Sequence, residues 1–373
     1  MLKLIRILYT IPNFDTAGSG KALLNLAKHL DSDKFDVHIA CKTDKGELFK
    51  KVQESGFPIY IFDFEAPMRP LSKLISKSLK IRKKIKEIAP DIIHSFHYNN
   101  NYGEALPAKM ARVNWLFTKK NMNWGSDGAN AWKLRSAFAK SIIIQNTEMA
   151  ERFYRGNSKT VLIERGINLN DFIPTNSIKI DPDGLSANPE DRIIITVANL
   201  APVKGIEFLI NSFSQLCQDF PQWKLWIVGD DSTEYGNSLK MLASTQIPET
   251  QISFLGKQSN VRPFLSEAEI FVLPTKGTGE GSPVALIEAM ANGKNVIGSD
   301  VSGISDQLKN YPDHLFNAED SISLTQKLRR LMKNSKDENI RTGLKFKALA
   351  EKKYSIEREA KEHEFVYENL MGA

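Results

Sequence analysis

FVLPTKGTGEGSPVALIEAMANGKNVIGSDVSG, residues 271–303, decides the reading of this chain. An apolar run ends at Pro274, and a loop with three glycines follows. Ser282 is a good N-cap, Pro283 suits a first helical residue, and Gly293 suits the residue after a helix. The spacing predicts a strand, a loop and a helix over 283–292, then a strand at 295–297. The helix start, with its free N–H groups, then lies at the carboxyl end of a strand, which is a site for a phosphate. Glu280 stands in the loop and Glu288 one and a half turns into the helix. Carboxylates beside a phosphate site do not bind phosphate themselves. They accept hydrogen bonds from something neutral, and sugar hydroxyls are the obvious partners. Phosphate and sugar together point to a nucleotide sugar.

The same alternation of apolar runs and helical spacing fills the rest of the chain. Strands are expected at 4–9, 36–41, 58–62, 92–94, 115–117, 142–144 and 161–163, and again at 193–197, 225–228, 252–255, 270–273 and 295–297. Helical stretches lie between them and over 319–334, 337–352 and 355–371. Such alternation implies βαβ units with a buried parallel sheet. Between the two series, PTNSIKIDPDGLSANPEDR (174–192) has no periodicity and reads as a linker. The fold class is therefore α/β, with two Rossmann-like, doubly wound lobes. The expected domains are 1–172, a linker 173–191, a nucleotide-binding domain 192–352, and a helix 353–373 that crosses back to the first domain. Ligands of these sheets bind at the carboxyl ends of the strands, which puts the expected site in the cleft between the lobes.

Composition agrees with 373 residues in two domains. Hydrophobic residues are 42% and charged residues 25%, ordinary globular values that exclude disorder and collagen. Two distant cysteines, Cys41 and Cys217, can form neither a disulfide framework nor a zinc site, which suits a reducing, cytoplasmic setting. The opening MLKLIRILYTIPN reads as a buried strand rather than a signal peptide. A net charge of +6 suits an anionic partner. Nucleic acid is not that partner, since no aromatic–basic interleaving or binding motif appears. Residues 71–90, LSKLISKSLKIRKKIKEIAP, hold seven Lys/Arg and one Glu. Leu71, Leu74, Ile75, Ser78, Leu79, Arg82 and Ile85 are expected to pack on the first sheet, leaving a basic face for anionic lipid.

In this setting EGSPVALIEAMANGKNVIGSD (280–300) resembles the signature of the retaining glycosyltransferases of family four, which have two Rossmann-like lobes, the GT-B fold. VANLAPVKGIEFLI (197–210), LWIVGDDS (225–232) and ISFLGKQSNVRPFLSEAEIFVLPT (252–275) follow in that family's order. NFDTAGSGKALLNLAKHL (13–30) resembles its first glycine loop and helix, DIIHSFHYNNNYG (91–103) its strand ending in histidine, and KKYSIEREAKEHEFVYENL (352–370) its returning helix. The resemblance implies a metal-independent transfer from a nucleotide diphosphate sugar, used as co-substrate with no cofactor, to a saccharide or lipid-linked acceptor. The setting it implies is cell-surface polysaccharide synthesis, in the cytoplasm or at the inner face of a membrane.

By the same resemblance Glu280 would bind donor-sugar hydroxyls. The main chain of Gly281, Ser282, Pro283 and Val284 would hold sugar and phosphate, and Glu288 the ribose. Lys204 would neutralise the diphosphate and its developing charge, making Glu280 and Lys204 the catalytic pair. Gly18 would permit close approach of the first lobe's loop. The family often has an arginine near Asn199 or Ala201; this chain has none, leaving Lys204, Lys257 or Arg262 to supply the charge. Lys120 and Asn121 stand where a histidine is common, and Phe96 where a second one is, with His94 and His97 around it; these are the acceptor-side candidates. The same two lobes also suit a sugar-nucleotide epimerase or hydrolase, or a non-catalytic sugar-nucleotide binder.

Three local patterns carry less. GSGK at 18–21 fails as a phosphate loop, because Asp15 stands five before Gly20 and Ala22 replaces the magnesium-binding Ser/Thr. The pairs Asp31/Asp33 and Asp181/Asp183 read as solvated turns, and Asp230-Asp231 as a turn or a ligand.

Overall fold

The structure, a computed structural model, describes residues 3–15, 17–46, 48–124, 130–172, 190–277 and 279–372. It divides into two compact units. The first runs to Gly166 and takes back the chain from Ile356; the second is Ile167–Ser355.

Seven strands make the sheet of the first unit: β1 (Ile5–Ile11), β2 (Phe35–Cys41), β3 (Ile59–Ile61), β4 (Ile92–Ser95), β5 (Asn114–Lys119), β6 (Ser141–Ile144) and β7 (Thr160–Leu162). Their order is β3-β2-β1-β4-β5-β6-β7, with every pairing parallel. Ile7 is in register with Val37 on one side and Ile92 on the other. Both faces are covered, which is why the strands read as continuous apolar runs. Ile7, Tyr9 and Ile11 pack against one helical layer, and Leu8 and Ile93 against the other. The helix Ile356–Met371 belongs to the first of these layers. Its Tyr367 is buried and shares hydrogen bonds with Tyr9 (2.9 Å) and His94 Nδ1 (2.7 Å).

The basic helix spans Leu71–Ile88 and buries Leu74, Ser78, Ile81, Ile85 and Ile88. That corrects the expected stripe. Leu71, Ile75 and Leu79 form a neighbouring row one residue round the helix, and they are 65%, 49% and 47% exposed. Two apolar rows adjoin here, and the one at spacing 4-3-4-3 faces the sheet.

Six strands make the second sheet: β8 (Arg192–Val197), β9 (Trp223–Val228), β10 (Ile252–Phe254), β11 (Ile270–Leu273), β12 (Asn295–Ser299) and β13 (Leu315–Phe316). The order is β10-β9-β8-β11-β12-β13, all parallel. Strand order reverses between β8 and β11, where Ile194 pairs with Ile270. The loops leaving those two strands therefore emerge side by side at a topological switch point, the usual ligand position of such sheets.

Residues 167–172, assigned by sequence to the first domain, pack with the second unit. Ile167 N donates to Tyr354 O at 2.8 Å, and Ile167 joins that unit's core. The expected linker falls outside the described residues as far as 189, and with it the Asp181/Asp183 pair. No helix among the described residues is long and apolar enough to cross a membrane.

Candidate active site

In the second unit the loops after β8 and β11 are pressed together. Gly205 has φ +63°, and a Cβ there would lie 2.2 Å from the Pro274 carbonyl oxygen. Lys276 N donates to Val203 O at 2.8 Å. This contact presents Lys204 to the second loop, and its ammonium bonds Glu280 Oε1. Thr275, buried at the end of β11, donates its hydroxyl to the same oxygen at 2.8 Å. Glu280 N donates to Ser302 O at 2.8 Å, and Gly303 has φ +81°, with room for no Cβ beside Glu280 O (2.5 Å). Glu280 is thus fixed through both main chain and side chain. The Lys204 and Glu280 side chains keep 21% and 17% exposure, so both remain reachable from solvent.

The helix start differs from the sequence expectation. The helix is Val284–Ala291, Pro283 occupies the cap position, and no side chain caps it. Ser282 is not the N-cap; its Oγ accepts from Gln307 Nε2 at 3.2 Å. A helix start whose cap residue makes no side-chain bond suits an anion at its first N–H groups. Gly281 and Pro283 are buried, while Ser282, Val284 and Glu288 are half-buried. Gly293, at φ +69°, ends the turn that follows.

Of the cations considered to replace the missing arginine, Arg262 is committed elsewhere. Its guanidinium bonds Asp171 O and Asn260 Oδ1. Lys257 is exposed. Asn199 is exposed in the loop after β8. Asp230 bonds Ser232 N and Oγ, which hold its carboxyl below the usual range. Asp231 pairs with Lys240 at 2.7 Å, so this acidic pair is a structural turn. Sequence reasoning missed Lys276, which pairs with Glu207 at 2.5 Å on the loop beside Lys204. Its signal was its place two residues after Pro274. Thr275, Ser302 and Gln307 were also missed; they act by holding the loop.

In the first unit GSGK lies inside the helix Ala17–His29, not in a phosphate loop. Gly20 is a packing residue, since a Cβ would meet Leu48 at 2.9 Å, whereas at Gly18 it would meet nothing within 4 Å. Next to Gly18, Ser19 Oγ bonds the Tyr98 hydroxyl (2.7 Å) and Lys120 Nζ (3.1 Å). Lys120 also bonds Phe96 O and lies 4.1 Å over the Tyr98 ring. Burial, then Arg165 and Arg135, push its ammonium well below the usual lysine range. Asn121 accepts from Lys119 Nζ at 2.5 Å through Oδ1. Asp33 N donates to Asp31 Oδ1 at 2.9 Å, an ordinary turn.

The two histidines are buried and hydrogen-bonded within the first unit rather than exposed. His94 is buried, with Nδ1 on Tyr367 and Nε2 on Thr118 Oγ1 at 2.8 Å. His97 is buried with Nε2 on Glu104 at 2.6 Å and a longer approach of Arg135 at 3.4 Å. Both are core groups that join a sheet end to its neighbours. Burial lowers the pKa of each.

Two parallel α/β lobes, the second carrying this lysine–carboxylate loop at its switch point, define the GT-B architecture. The glycosyltransferase of Rickettsia africae superposes with a TM-score of 0.82 over 99% of both chains at 18% identity. HepE of Anabaena, solved with UDP and glucose, gives 0.79 over 99% of this chain and 100% of that one, also at 18% identity. At the level of sequence, the family model for "Glycosyltransferase Family 4" matches residues 16–171, and that for "Glycosyl transferases group 1" matches 177–343. The chain belongs to this glycosyltransferase family. Its relatives include the N,N'-diacetylbacillosaminyl-diphospho-undecaprenol alpha-1,3-N-acetylgalactosaminyltransferase of Campylobacter jejuni, 28% identical over 83% of this chain and 85% of that one. The O-antigen biosynthesis glycosyltransferase WclY of Escherichia coli is 21% identical over 98% and 99%.

Proposed function

We propose that the protein transfers a sugar from a nucleotide diphosphate sugar to a saccharide or lipid-linked acceptor, with retention of configuration and without a metal ion, in surface-polysaccharide or glycolipid synthesis. The observation that carries this reading is Lys204 bonded to Glu280 beside an uncapped helix start, on the two loops of the β8/β11 switch point. The diphosphate lies on the first N–H groups of the helix Val284–Ala291, with Lys204 against it. Glu280 then accepts hydrogen bonds from the donor sugar and Glu288 from the ribose. As the bond from the anomeric carbon to the phosphate oxygen breaks, negative charge builds on that oxygen, and Lys204 and the helix amides stabilise it. The acceptor hydroxyl bonds to the anomeric carbon from the same face and gives up its proton to the departing phosphate. No enzyme nucleophile is needed.

A lipid-linked acceptor accords with the relative from Campylobacter, whose name specifies an undecaprenol-linked substrate. The exposed row Leu71, Ile75 and Leu79 beside lysines on the same helix supports contact with an anionic bilayer surface. The protein incubated with nucleotide sugar and acceptor in EDTA tests the reaction. Turnover should persist, and the product should keep the donor's anomeric configuration by NMR. Loss of turnover with rescue by manganese contradicts the metal-free mechanism. New sugar isomers formed without acceptor contradict transfer itself.

A further inference from the structure

The first unit contains a pocket of about 660 Å³ at the carboxyl ends of β2, β3 and β4. One wall is the helix Leu71–Ile88, which contributes Lys73, Ser76, Lys77 and Lys80. The floor is a fixed polar network. Glu65 takes Lys42 Nζ at 2.6 Å, Asn99 Nδ2 at 2.7 Å and a bond from Asn101 Nδ2. Burial opposes ionisation of Glu65, but the His97 ring, the Lys42 ammonium and the Asn99 amide outweigh it and hold its carboxyl down at about 2. Both Glu65 oxygens are therefore charged and occupied, and Glu65 positions the floor rather than binding a ligand.

The charges do not cancel. Lys42 is matched by Glu65 and Lys77 by Asp63 at 3.1 Å. Lys73 and Lys80 have no ion-pair partner among the described residues, though both line the pocket. At positions i and i+7 they stand on one side of the helix, about 10 Å apart along its axis. Two unmatched ammonium groups, with a third between them and a hydroxyl beside it, fit a dianion long enough to touch more than one of them. A single carboxylate would leave one cation unmatched. Lysines suit phosphate as point charges, and no arginine fork lines the pocket to favour a planar carboxylate.

We propose that this pocket binds a phosphate or diphosphate group carried by the acceptor. The proposal rests on the transferase reading above and adds the acceptor's chemical class. The exposed apolar row Leu71, Ile75 and Leu79 lies on the other side of the same helix, away from the lysine wall, so the pocket is assigned to the phosphate alone.

The test is calorimetric titration of the full chain with inorganic pyrophosphate, in a Lys204→Ala background so that the donor-side phosphate site contributes little. Lys73→Ala/Lys80→Ala should weaken binding about tenfold, as expected for two exposed charge contacts. Lys83→Ala/Lys86→Ala, which removes the same charge from the same helix outside the pocket, should change it less than about twofold. Equal affinity in all three proteins, or equal losses in the two double variants, overturns the pocket. A second arm uses phosphatidylcholine vesicles carrying a long-chain isoprenyl diphosphate. Vesicle binding that needs Lys73 and Lys80 and is displaced by pyrophosphate assigns the phosphate to a lipid; pyrophosphate binding without it assigns a soluble phosphosugar. A chain that transfers sugar but binds pyrophosphate independently of Lys73 and Lys80 overturns the pocket alone. One that binds pyrophosphate there and turns over no nucleotide sugar overturns the transferase reading alone.

Discussion

Lys204 Nζ is bonded to Glu280, so a diphosphate arriving at the helix start competes for a cation that already has a partner. The exchange costs little, because a partly exposed pair is worth at most about 1 kcal/mol. It also couples the two residues: when Lys204 turns to phosphate, Glu280 Oε1 gives up that bond and keeps the one from Thr275. Lys204→Ala should lower kcat roughly 10²–10³-fold, as removal of one preorganised charge-stabilising donor does, with a smaller effect on donor affinity. Lys204→Arg keeps the charge and should recover part of the loss, because a planar fork does not reproduce a point charge. Steady-state kinetics checks both. A near-normal kcat in Lys204→Ala would move the leaving-group role to Lys276, the other lysine on these two loops.

At the scale of elements, the site depends on how closely the loop after β8 meets the loop after β11. Gly205→Ala introduces both a strained φ and a carbon 2.2 Å from the Pro274 oxygen. The expected cost is about 1–3 kcal/mol, seen as a lower Tm together with weaker nucleotide binding. Gly18→Ala, by contrast, should not lower Tm, since its Cβ meets nothing and alanine favours the helix it sits in. Element positions were readable from sequence because doubly covered strands are apolar throughout. Ile270–Leu273 was placed to the residue, and Phe35–Cys41 and Arg192–Val197 to within one. The two-residue strand Leu315–Phe316 and the five-residue helix Ile304–Leu308 were not, because neither is long enough to show a period. Ser282 was misassigned as a cap because its partner Gln307 lies 25 residues away.

For the molecule as a whole, sequence reading singled out Lys204 and Glu280, which the structure brings together, and missed the polar network of the first unit. Lys204 and the 280–288 segment are carried by two continuous stretches whose spacing can be read directly. Glu65, Asn99, Asn101, Glu104 and Arg135 are scattered along the chain, and only the parallel sheet brings them together. That network should govern acid stability. Glu65 has a folded pKa of about 2 against an ordinary 4.5. Its contribution is therefore complete above about pH 4.5 and is lost as pH falls toward 2. The contribution is up to about 3 kcal/mol. Glu65→Gln should lower stability near neutrality and make it less sensitive to pH between 4.5 and 2. Urea melts across that range read the difference, and parallel curves for the two proteins would show that Glu65 gains nothing from its partners.

The central claim is that the second unit holds a nucleoside diphosphate, with Glu288 on the ribose. Thermal denaturation of wild type and Glu288→Ala with UDP, GDP and ADP tests it most directly, because a ligand that binds only the folded chain raises its Tm. One nucleotide should raise the wild-type Tm in a concentration-dependent way. Glu288→Ala should melt at the wild-type temperature without ligand and need roughly 10- to 100-fold more nucleotide for the same shift, the effect of one lost charged hydrogen bond. Equal shifts in the two proteins would contradict the ribose assignment, and no shift with any of the three would contradict the nucleotide site.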